Sequence, residues 1–174
     1  MLHKIPAMTT QKNIILDTVQ IEQKVKRIAY QIYENNSSEK EIILAGVAKN
    51  GYVFANKIGA ALKEISSIKI TMCEVVIDKK NLLLPITTSI PSEDYQQKSL
   101  VLIDDVLNSG GTLIYSIKHF LEVPLKRFKT AVLVNRNHKK YPVKADFKGI
   151  SLSTTLQEHV AVEFSKDSAI AYLV

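Results

Sequence analysis

The segment that decides the fold runs from residue 101 to residue 113 and is Val-Leu-Ile-Asp-Asp-Val-Leu-Asn-Ser-Gly-Gly-Thr-Leu. The apolar residues at its start predict a buried strand, and two adjacent carboxylates, Asp104 and Asp105, stand at the end of that strand. A Ser-Gly-Gly-Thr turn then opens a helix. Because two carboxylates at a buried strand end are costly unless something binds them, the segment predicts a ligand site rather than a purely structural turn.

The turn has the composition of a phosphate-binding loop. Its residues are Asn108, Ser109, Gly110, Gly111 and Thr112. Their backbone N–H groups can surround a phosphate, because the two glycines tolerate a tight turn and let the ligand approach closely. The following helix adds the positive end of its dipole. Upstream, Asp104 and Asp105 are placed to accept hydrogen bonds from ribose hydroxyls or to hold a hydrated Mg²⁺ ion.

Length and composition predict one small soluble enzyme domain. The chain has 174 residues, of which 46% are hydrophobic and 23% charged, as is ordinary for a globular protein. Its one cysteine, Cys73, allows no intrachain disulfide and favours a reducing cytoplasm. No apolar run reaches the length of a membrane span, so we expect no membrane partner. The net charge of +6 fits anionic ligands such as phosphates or nucleic acid.

Hydrophobic periodicity predicts alternating strands and helices over residues 13–134. Strands are expected at 13–16, 42–47, 68–77, 100–103 and 128–134, and helices at 18–34, 52–65 and 111–121. The stretch from 78 to 97 shows no steady periodicity and contains two prolines. This order predicts an α/β fold with a mostly parallel sheet and with ligands bound at the carboxyl ends of its strands.

Residues 101–113 resemble the 5-phosphoribosyl-1-pyrophosphate (PRPP) fingerprint of type I phosphoribosyltransferases, in which an apolar run precedes an acidic pair and a glycine-rich turn. The resemblance implies that fold, with helices flanking a mostly parallel central sheet and a small hood over the strand carboxyl ends. It implies one domain over residues 1–174, with a flexible lead at 1–12 and a mobile loop at 78–97. The hood would be built from roughly 140–160 together with the N-terminal segment.

Later residues narrow the resemblance to one family. The sequence from 131 to 149 is Ala-Val-Leu-Val-Asn-Arg-Asn-His-Lys-Lys-Tyr-Pro-Val-Lys-Ala-Asp-Phe-Lys-Gly, and it is followed by Ser-Thr-Thr at 153–155 and Glu-His-Val-Ala-Val at 158–162. These segments are similar to the bacterial pyrimidine-operon attenuator family, whose members double as uracil phosphoribosyltransferases. The similarity implies Mg²⁺-dependent transfer of the 5-phosphoribosyl group from PRPP to a nucleobase, expected to be uracil, with release of pyrophosphate.

The resemblance also implies a role for each matching residue. Asp104 and Asp105 would face the ribose and the metal as the catalytic pair, and residues 108–112 would hold the 5-phosphate. The other implied groups are the pyrophosphate loop (Ala48, Lys49, Asn50, Gly51), the nucleobase contacts (Asn135, Arg136, Ser153, Thr154) and the mobile-loop residues that could reach phosphates (Lys79, Lys80, Tyr95). Two alternatives stay open: residues 48–51 as a plain strand-to-helix turn, and Arg136 as the salt-bridge partner of Asp104 or Asp105.

The chain departs from the family pattern where cations would meet phosphate charge. Its mobile loop contains no arginine, Asn50 stands where the pyrophosphate turn often carries arginine, and Gly111 stands where this subfamily often has arginine. Each charge-assisted hydrogen bond is worth roughly 1.5–3 kcal/mol, so the three losses together would slow transfer by orders of magnitude. An enzyme of low activity is therefore one expectation.

A second class of function is a nucleotide-sensing regulator that binds RNA. The resembled family binds messenger RNA through a basic face and is gated by uridine nucleotides. Basic residues near the hood and on the first helix would give such a face: Lys24, Lys26, Arg27, Lys139, Lys140, Lys144 and Lys148. A solvated lysine surface explains them equally well. A purine phosphoribosyltransferase is a further alternative, weakened because purine salvage relatives typically place a lysine where this chain has Asn135. The family resemblance suggests a homo-oligomer.

Overall fold

The computed structural model describes residues 12–153, 155 and 158–174, and within them the chain forms nine strands and four helices. The strands are β1 (Asn13–Leu16), β2 (Glu41–Val47), β3 (Lys69–Val76), β4 (Thr87–Thr88), β5 (Ser99–Leu107), β6 (Arg127–Arg136), β7 (Phe147–Leu152), β8 (Val160–Phe164) and β9 (Ala169–Leu173). The helices are α1 (Thr18–Asn36), α2 (Asn50–Ile65), α3 (Ser92–Tyr95) and α4 (Gly111–Phe120). No helix in these ranges is both long and apolar enough to span a membrane.

The central sheet has the strand order β4-β3-β2-β5-β6-β7. Its pairs are parallel except for the short edge strand β4, which runs antiparallel to β3. The inner strands β2 and β5 are apolar runs that are buried on both sides, as parallel strands covered by helices must be. The predicted fold class, an α/β domain with a mostly parallel central sheet flanked by helices, is confirmed.

Two apolar cores lie on opposite faces of this sheet. Successive residues of a strand point to opposite faces, so Leu44 packs in the core under α1 and α2 while Ile43 packs in the core under α4. Helix α1 begins with a capping box in which Asp17 accepts from the Gln20 N–H and the Gln20 side chain accepts from the Asp17 N–H. The predicted helices and strands up to residue 134 therefore lie where the periodicity placed them, with shifted ends.

Strand β5 is longer than the apolar run 100–103 that predicted it. It continues to Leu107, because β6 still pairs with it at Asp104 and at Val106. The two carboxylates consequently lie inside the strand rather than after it, where the sheet holds their backbone rigidly.

A second, smaller sheet within the described chain has the order β1-β9-β8 and is antiparallel. Its strand β1 belongs to the N-terminal segment of the expected hood. Of the roughly 140–160 part of that expectation, residues 147–152 form β7, the last strand of the central sheet, because Gly149 lets the chain approach β6: a Cβ there would lie 2.4 Å from the Leu133 carbonyl oxygen. We use "hood" below for the small sheet and the described residues 153, 155, 158 and 159 that precede β8; residues 1–11 of the expected lead lie outside the described residues.

The irregular stretch 78–97 is anchored at its far end. It contains β4 and the short helix α3, whose Tyr95 is 3% exposed and packs edge-on against Phe120 with ring centroids 5.1 Å apart. The expectation that Tyr95 reaches a phosphate is therefore wrong, because its aromatic ring belongs to the core under α4. The part of the loop that approaches the strand ends is residues 78–86.

Candidate active site

Two strand-turn-helix units lie side by side at the carboxyl edge of the central sheet. Strands β2 and β5 are parallel neighbours with Gly46 level with Ile103, so the turns that follow them open at the same edge. We name them the 48–51 turn, which leads into α2, and the 108–112 turn, which leads into α4. This edge is where open α/β sheets bind their ligands.

The 108–112 turn depends on its two glycines for different reasons. Gly110 has a φ of 87°, a left-handed conformation that favours glycine, and a Cβ there would lie 2.4 Å from Val143 Cγ1. Gly111 leaves room for a neighbour instead, because a Cβ there would lie 2.7 Å from Leu82 Cδ1 and 3.2 Å from Tyr141 Cε2. The turn is thus packed against Val143, Tyr141 and Leu82, and it also lines a pocket.

That pocket has a volume of about 80 Å³ and is lined by the 108–112 turn together with Lys79, Asp104 and Val132. Among the described residues of its lining, Lys79 is the one cationic side chain. Helix α4 begins at this pocket with the positive end of its dipole, and of its first N–H groups that of Gly111 donates to Ser109 Oγ at 3.3 Å. The pocket therefore combines a backbone suited to a phosphate with one ammonium and one carboxyl group.

The acidic pair divides between the two turns. Asp104 is 3% exposed, and its Oδ1 accepts from the Asp105 N–H at 2.9 Å and lies 3.6 Å from Lys79 Nζ. Asp105 instead accepts from the Val106 N–H at 2.9 Å and, through Oδ2, from Asn50 Nδ2 at 3.1 Å. Asp104 thus serves the pocket of the 108–112 turn, and Asp105 is tied to the 48–51 turn.

Burial raises the pKa of Asp104 to about 8, and the negative charge of Asp105 adds to the increase. The ammonium of Lys79 opposes it by favouring the ionised carboxylate. Near neutral pH, Asp104 therefore exchanges readily between a hydrogen-bond donor and an anionic acceptor. A cation entering the pocket would favour the ionised form.

The 48–51 turn is packed tightly against the core. The peptide bond between Ala48 and Lys49 is cis, and the Ala48 N–H donates to the Val75 carbonyl at 2.8 Å. Gly51 is required because a Cβ there would lie 2.9 Å from the Ile103 carbonyl and 3.0 Å from Asp104 Oδ1. At the start of α2, Lys49 makes no side-chain cap within the described chain, so first-turn N–H groups can still meet an anion.

The side chain of Asn50 bonds inside the protein. Its Nδ2 donates both to Asp105 Oδ2 and, at 2.8 Å, to the carbonyl of Val162 in strand β8 of the hood. Sequence analysis placed Asn50 in the turn but could not find this bond, because Asn50 and Val162 are 112 residues apart. Asn50 therefore joins the turn, the acidic pair and the hood.

The expected nucleobase residues lie where β6 and β7 end. The side chain of Asn135 is buried and donates to Ser151 Oγ at 3.2 Å, and Asn137 donates to Ser153 Oγ at 3.0 Å. Thr154, the remaining expected contact, lies outside the described residues. The sheet thus places Asn135 and Ser153 near one edge.

Arg136 bridges two parts of the site. Its Nη1 donates to Asn108 Oδ1 at 3.0 Å, and its Nη2 donates to the carbonyl oxygens of Thr155 and Glu158 at 3.2 and 2.5 Å. Asn108 begins the 108–112 turn, whereas Thr155 and Glu158 belong to the hood. The described ion-pair partner of Asp104 is Lys79 rather than Arg136.

The donor set fits a magnesium ion that is shared with a substrate. Among the described residues there is no cluster of three or more His, Cys, Asp or Glu side chains able to hold a metal by itself. Mg²⁺ binds, however, through one or two carboxylates together with substrate phosphates. Asp104 and Asp105 are adjacent and can supply such a pair, and Asp104 lines the pocket together with the 108–112 turn.

Comparison with known protein families agrees with this geometry. Residues 11–168 match the model of the phosphoribosyl transferase domain. The chain is 31% identical over 154 residues to the Bifunctional protein PyrR of Streptococcus agalactiae, covering 86% of this chain and 88% of that protein. It is 32% identical over 160 residues to the protein of the same name in Macrococcus caseolyticus, covering 87% and 91%.

Solved structures share the fold at lower identity. A hypoxanthine-guanine phosphoribosyltransferase of Bacillus anthracis aligns with a TM-score of 0.77 at 21% identity, covering 94% of this chain and 98% of that one. The hypoxanthine phosphoribosyltransferase of Trypanosoma cruzi aligns with a TM-score of 0.76 at 14% identity, covering 92% and 96%. At these identities the likeness concerns the fold alone.

Proposed function

The chain is a phosphoribosyltransferase by family membership, and from that premise we propose that it transfers the 5-phosphoribosyl group of PRPP to uracil, forming UMP and releasing pyrophosphate. One observation carries the proposal: the 108–112 turn forms a small pocket together with the buried Asp104 and the ammonium of Lys79. A phosphate, a ribose and a leaving group can each find a partner there. Residues 101–113, which predicted the fold, also predicted binding of a phosphate and a ribose.

The proposed binding uses backbone groups more than arginine. The 5-phosphate enters the 108–112 turn and receives N–H groups from the start of α4. The pyrophosphate lies against the 48–51 turn at the start of α2, with Lys49 and Lys79 as nearby cations. Lys80 remains a candidate phosphate contact on the same loop. With both ends of PRPP held, C1 of the ribose lies over the acidic pair.

The proposed reaction needs no protein nucleophile. The base nitrogen forms a bond to C1, the bond from C1 to the pyrophosphate oxygen breaks with its electron pair going to pyrophosphate, and the base loses its N–H proton to solvent. Asp104, in its ionised form, stabilises positive charge that develops on the ribose. Asp105 accepts hydrogen bonds from Asn50 and from the Val106 N–H, and these bonds hold its carboxylate on the ribose side of the site. Mg²⁺, when bound to Asp104 and Asp105, would neutralise charge on the departing pyrophosphate.

Uracil is proposed on the basis of sequence relatives. The relatives at 31–32% identity are called PyrR, whereas those named for hypoxanthine and guanine share only the fold. Asn135 stands where purine salvage enzymes typically place a lysine, and it donates to Ser151 Oγ at the sheet edge, where Asn137 also donates to Ser153 Oγ. These neutral amide and hydroxyl groups suit the alternating donors and acceptors of a pyrimidine edge.

The deciding experiment measures pyrophosphate release from PRPP and Mg²⁺ with uracil, guanine or hypoxanthine. We expect release only with uracil, and we expect it to fall sharply in Asp104→Asn. Release with a purine instead would replace the proposed base while keeping the reaction class. Silence with every base, in folded protein that still binds UMP, would contradict catalysis.

A regulatory role is the second candidate, and two observations favour it. The relatives are named as bifunctional, and the arginines expected at residue 50, at residue 111 and in the mobile loop are absent from the sequence. In this role the chain binds RNA through lysines near the hood and senses a uridine nucleotide, in a cytoplasmic homo-oligomer. Salt-dependent RNA binding that UMP changes, without turnover, would support this role over salvage.

A further inference from the structure

Arg136 makes an unusual connection for a residue expected at the nucleobase. It is 5% exposed, yet its guanidinium reaches two separate parts of the site. One end donates to the side chain of Asn108 in the 108–112 turn, and the other end donates to two hood carbonyls. Buried charge of this kind is retained only where its hydrogen bonds are well satisfied.

The two hood residues that Arg136 contacts are also bonded to each other. The Glu158 carboxylate accepts from the Thr155 N–H at 2.8 Å and from Thr155 Oγ1 at 3.0 Å. The carbonyls of Thr155 and Glu158 both lie within reach of one guanidinium nitrogen. Arg136 therefore binds two hood residues whose relative position is held by their own hydrogen bonds.

The phosphate end of the connection fixes the orientation of an amide. A guanidinium can only donate, so the Asn108 oxygen must face Arg136 and its Nδ2 becomes the donor end of the side chain. Asn108 is exposed at the mouth of the turn, where that donor is available to a phosphate. The planar fork of arginine reaches both sides at once, which the single ammonium of lysine cannot do.

We propose that Arg136 is a positioning residue that couples occupation of the 108–112 turn by a phosphate to the order of the hood. It acts through Asn108 and through the hood carbonyls, without touching the substrate. The inference rests on the proposed function, because it takes the 5-phosphate of PRPP as the group that fills the turn. Binding of the sugar phosphate then prepares the hood for the base.

The coupling can be tested without unfolding the protein, because the hood keeps other attachments. Asn50 still donates to the Val162 carbonyl, and β1 still pairs with β9. The variant Arg136→Lys keeps the charge, but its side chain is one atom shorter and loses the planar fork. Arg27→Lys is a matched control, since Arg27 also donates to two carbonyls, those of Lys148 and Gly149, at 2.9 and 2.7 Å, with no link to the turn.

The experiment measures hydrogen-deuterium exchange with and without ribose 5-phosphate, which carries the phosphate but no base or pyrophosphate. In the unaltered protein and in Arg27→Lys we expect slower exchange both in the turn and in the peptide containing Thr155 and Glu158. In Arg136→Lys we expect protection of the turn to persist while protection of the hood peptide is lost. The KM for uracil should rise about tenfold with the KM for PRPP little changed, as expected for one charge-assisted hydrogen bond acting on the hood.

Three results would overturn the coupling, and they separate it from the proposed function. Hood protection that persists in Arg136→Lys would show that Arg136 does not carry the coupling. Turn protection without hood protection in the unaltered protein would show that no coupling exists. Absence of protection at the turn in every variant would overturn the phosphate site, and with it the proposed function.

Discussion

The two turns at the carboxyl edge of the sheet share one plan but use their polar groups differently. Each follows a buried parallel strand, contains glycine and opens a helix. In the 48–51 turn, the Asn50 side chain is bonded to Asp105 and to the hood, and Gly51 is pressed against Asp104. In the 108–112 turn, the backbone faces a pocket. The difference shows that two turns of the same plan can use a side chain to join parts of the protein, as Asn50 does, or can line a pocket with their backbone, as residues 108–112 do.

The largest expected effect separates the two carboxylates. Asp104→Asn should lower kcat/KM about 100- to 1,000-fold, because a preorganised charge at the pocket is lost. Asp105→Asn should be milder, since an amide oxygen still accepts from Asn50. Steady-state kinetics with PRPP and uracil check both variants. Equal losses of kcat/KM in the two variants would contradict the assignment of Asp104 to one turn and Asp105 to the other.

The next effect concerns the backbone of the 108–112 turn. Gly110→Ala places a Cβ at positive φ and 2.4 Å from Val143 Cγ1, so the turn must change shape. We expect affinity for ribose 5-phosphate to fall more than about tenfold, with roughly 1–3 kcal/mol lost from the free energy of unfolding. Calorimetric titration and urea denaturation measure the two quantities. Unchanged affinity would mean that the phosphate lies elsewhere.

In the 48–51 turn the expected effect is mainly on stability. Asn50→Ala removes the donor to the Val162 carbonyl and to Asp105, which should lower the free energy of unfolding by about 1–3 kcal/mol. The control is Asn56→Ala in the same helix, where an exposed amide donates to the Tyr52 carbonyl; it should change stability by no more than about 0.5 kcal/mol. Similar urea midpoints for the two variants would contradict the structural role of Asn50.

A smaller effect is expected at the loop that approaches the pocket. Lys79→Gln removes the partially exposed ammonium beside Asp104 and should raise the KM for PRPP a few-fold, about as much as one solvent-screened ion pair is worth. Lys80→Gln is the matched neighbour, and its backbone N–H rather than its side chain has a described contact, with Asp78. Equal increases in the KM for PRPP in the two variants would contradict a specific contribution of Lys79 to PRPP binding.

The last prediction is a dependence of stability on pH. The folded pKa of Asp104 is about 8, above its ordinary value of 3.8, so the native state favours the protonated form. This contribution to stability is complete below about pH 4 and is lost as the pH rises through 8. Thermal unfolding of the ligand-free protein should show this loss, and the difference between it and Asp104→Asn should vary over the same interval. A constant difference from pH 4 to pH 9 would contradict the raised pKa.

The sequence predicted the parts of the fold whose signals are local. The apolar runs at 42–47 and 100–103 became central strands, and the acidic pair followed by Ser-Gly-Gly-Thr became a strand and turn with a pocket. Strands β8 and β9 of the small sheet were not predicted, because strands of five residues that alternate weakly give little periodicity by themselves. Their pairing with β1 depends on contacts across the whole chain.

The sequence named candidate residues for the site, but it did not predict the contacts that join them. Lys79 and Asp104 were each named, yet their 3.6 Å approach depends on how the 78–86 segment folds back over the sheet edge. Tyr95 was misassigned because a tyrosine in an irregular stretch carries no sign of whether its ring is buried. The bonds from Asn50 to Val162 and from Arg136 to Asn108 join distant residues, and no local pattern encodes them.

The order of synthesis gives the pairing of β1 with β9 a further consequence. Strand β1 is made early, but its partner residues lie near Leu173, in the last described strand of the chain, and β8 pairs with that same strand. The small sheet therefore cannot form until β9 has been made, whereas the pairs of the central sheet involve none of its residues. We therefore expect the small sheet to close after the central sheet during synthesis.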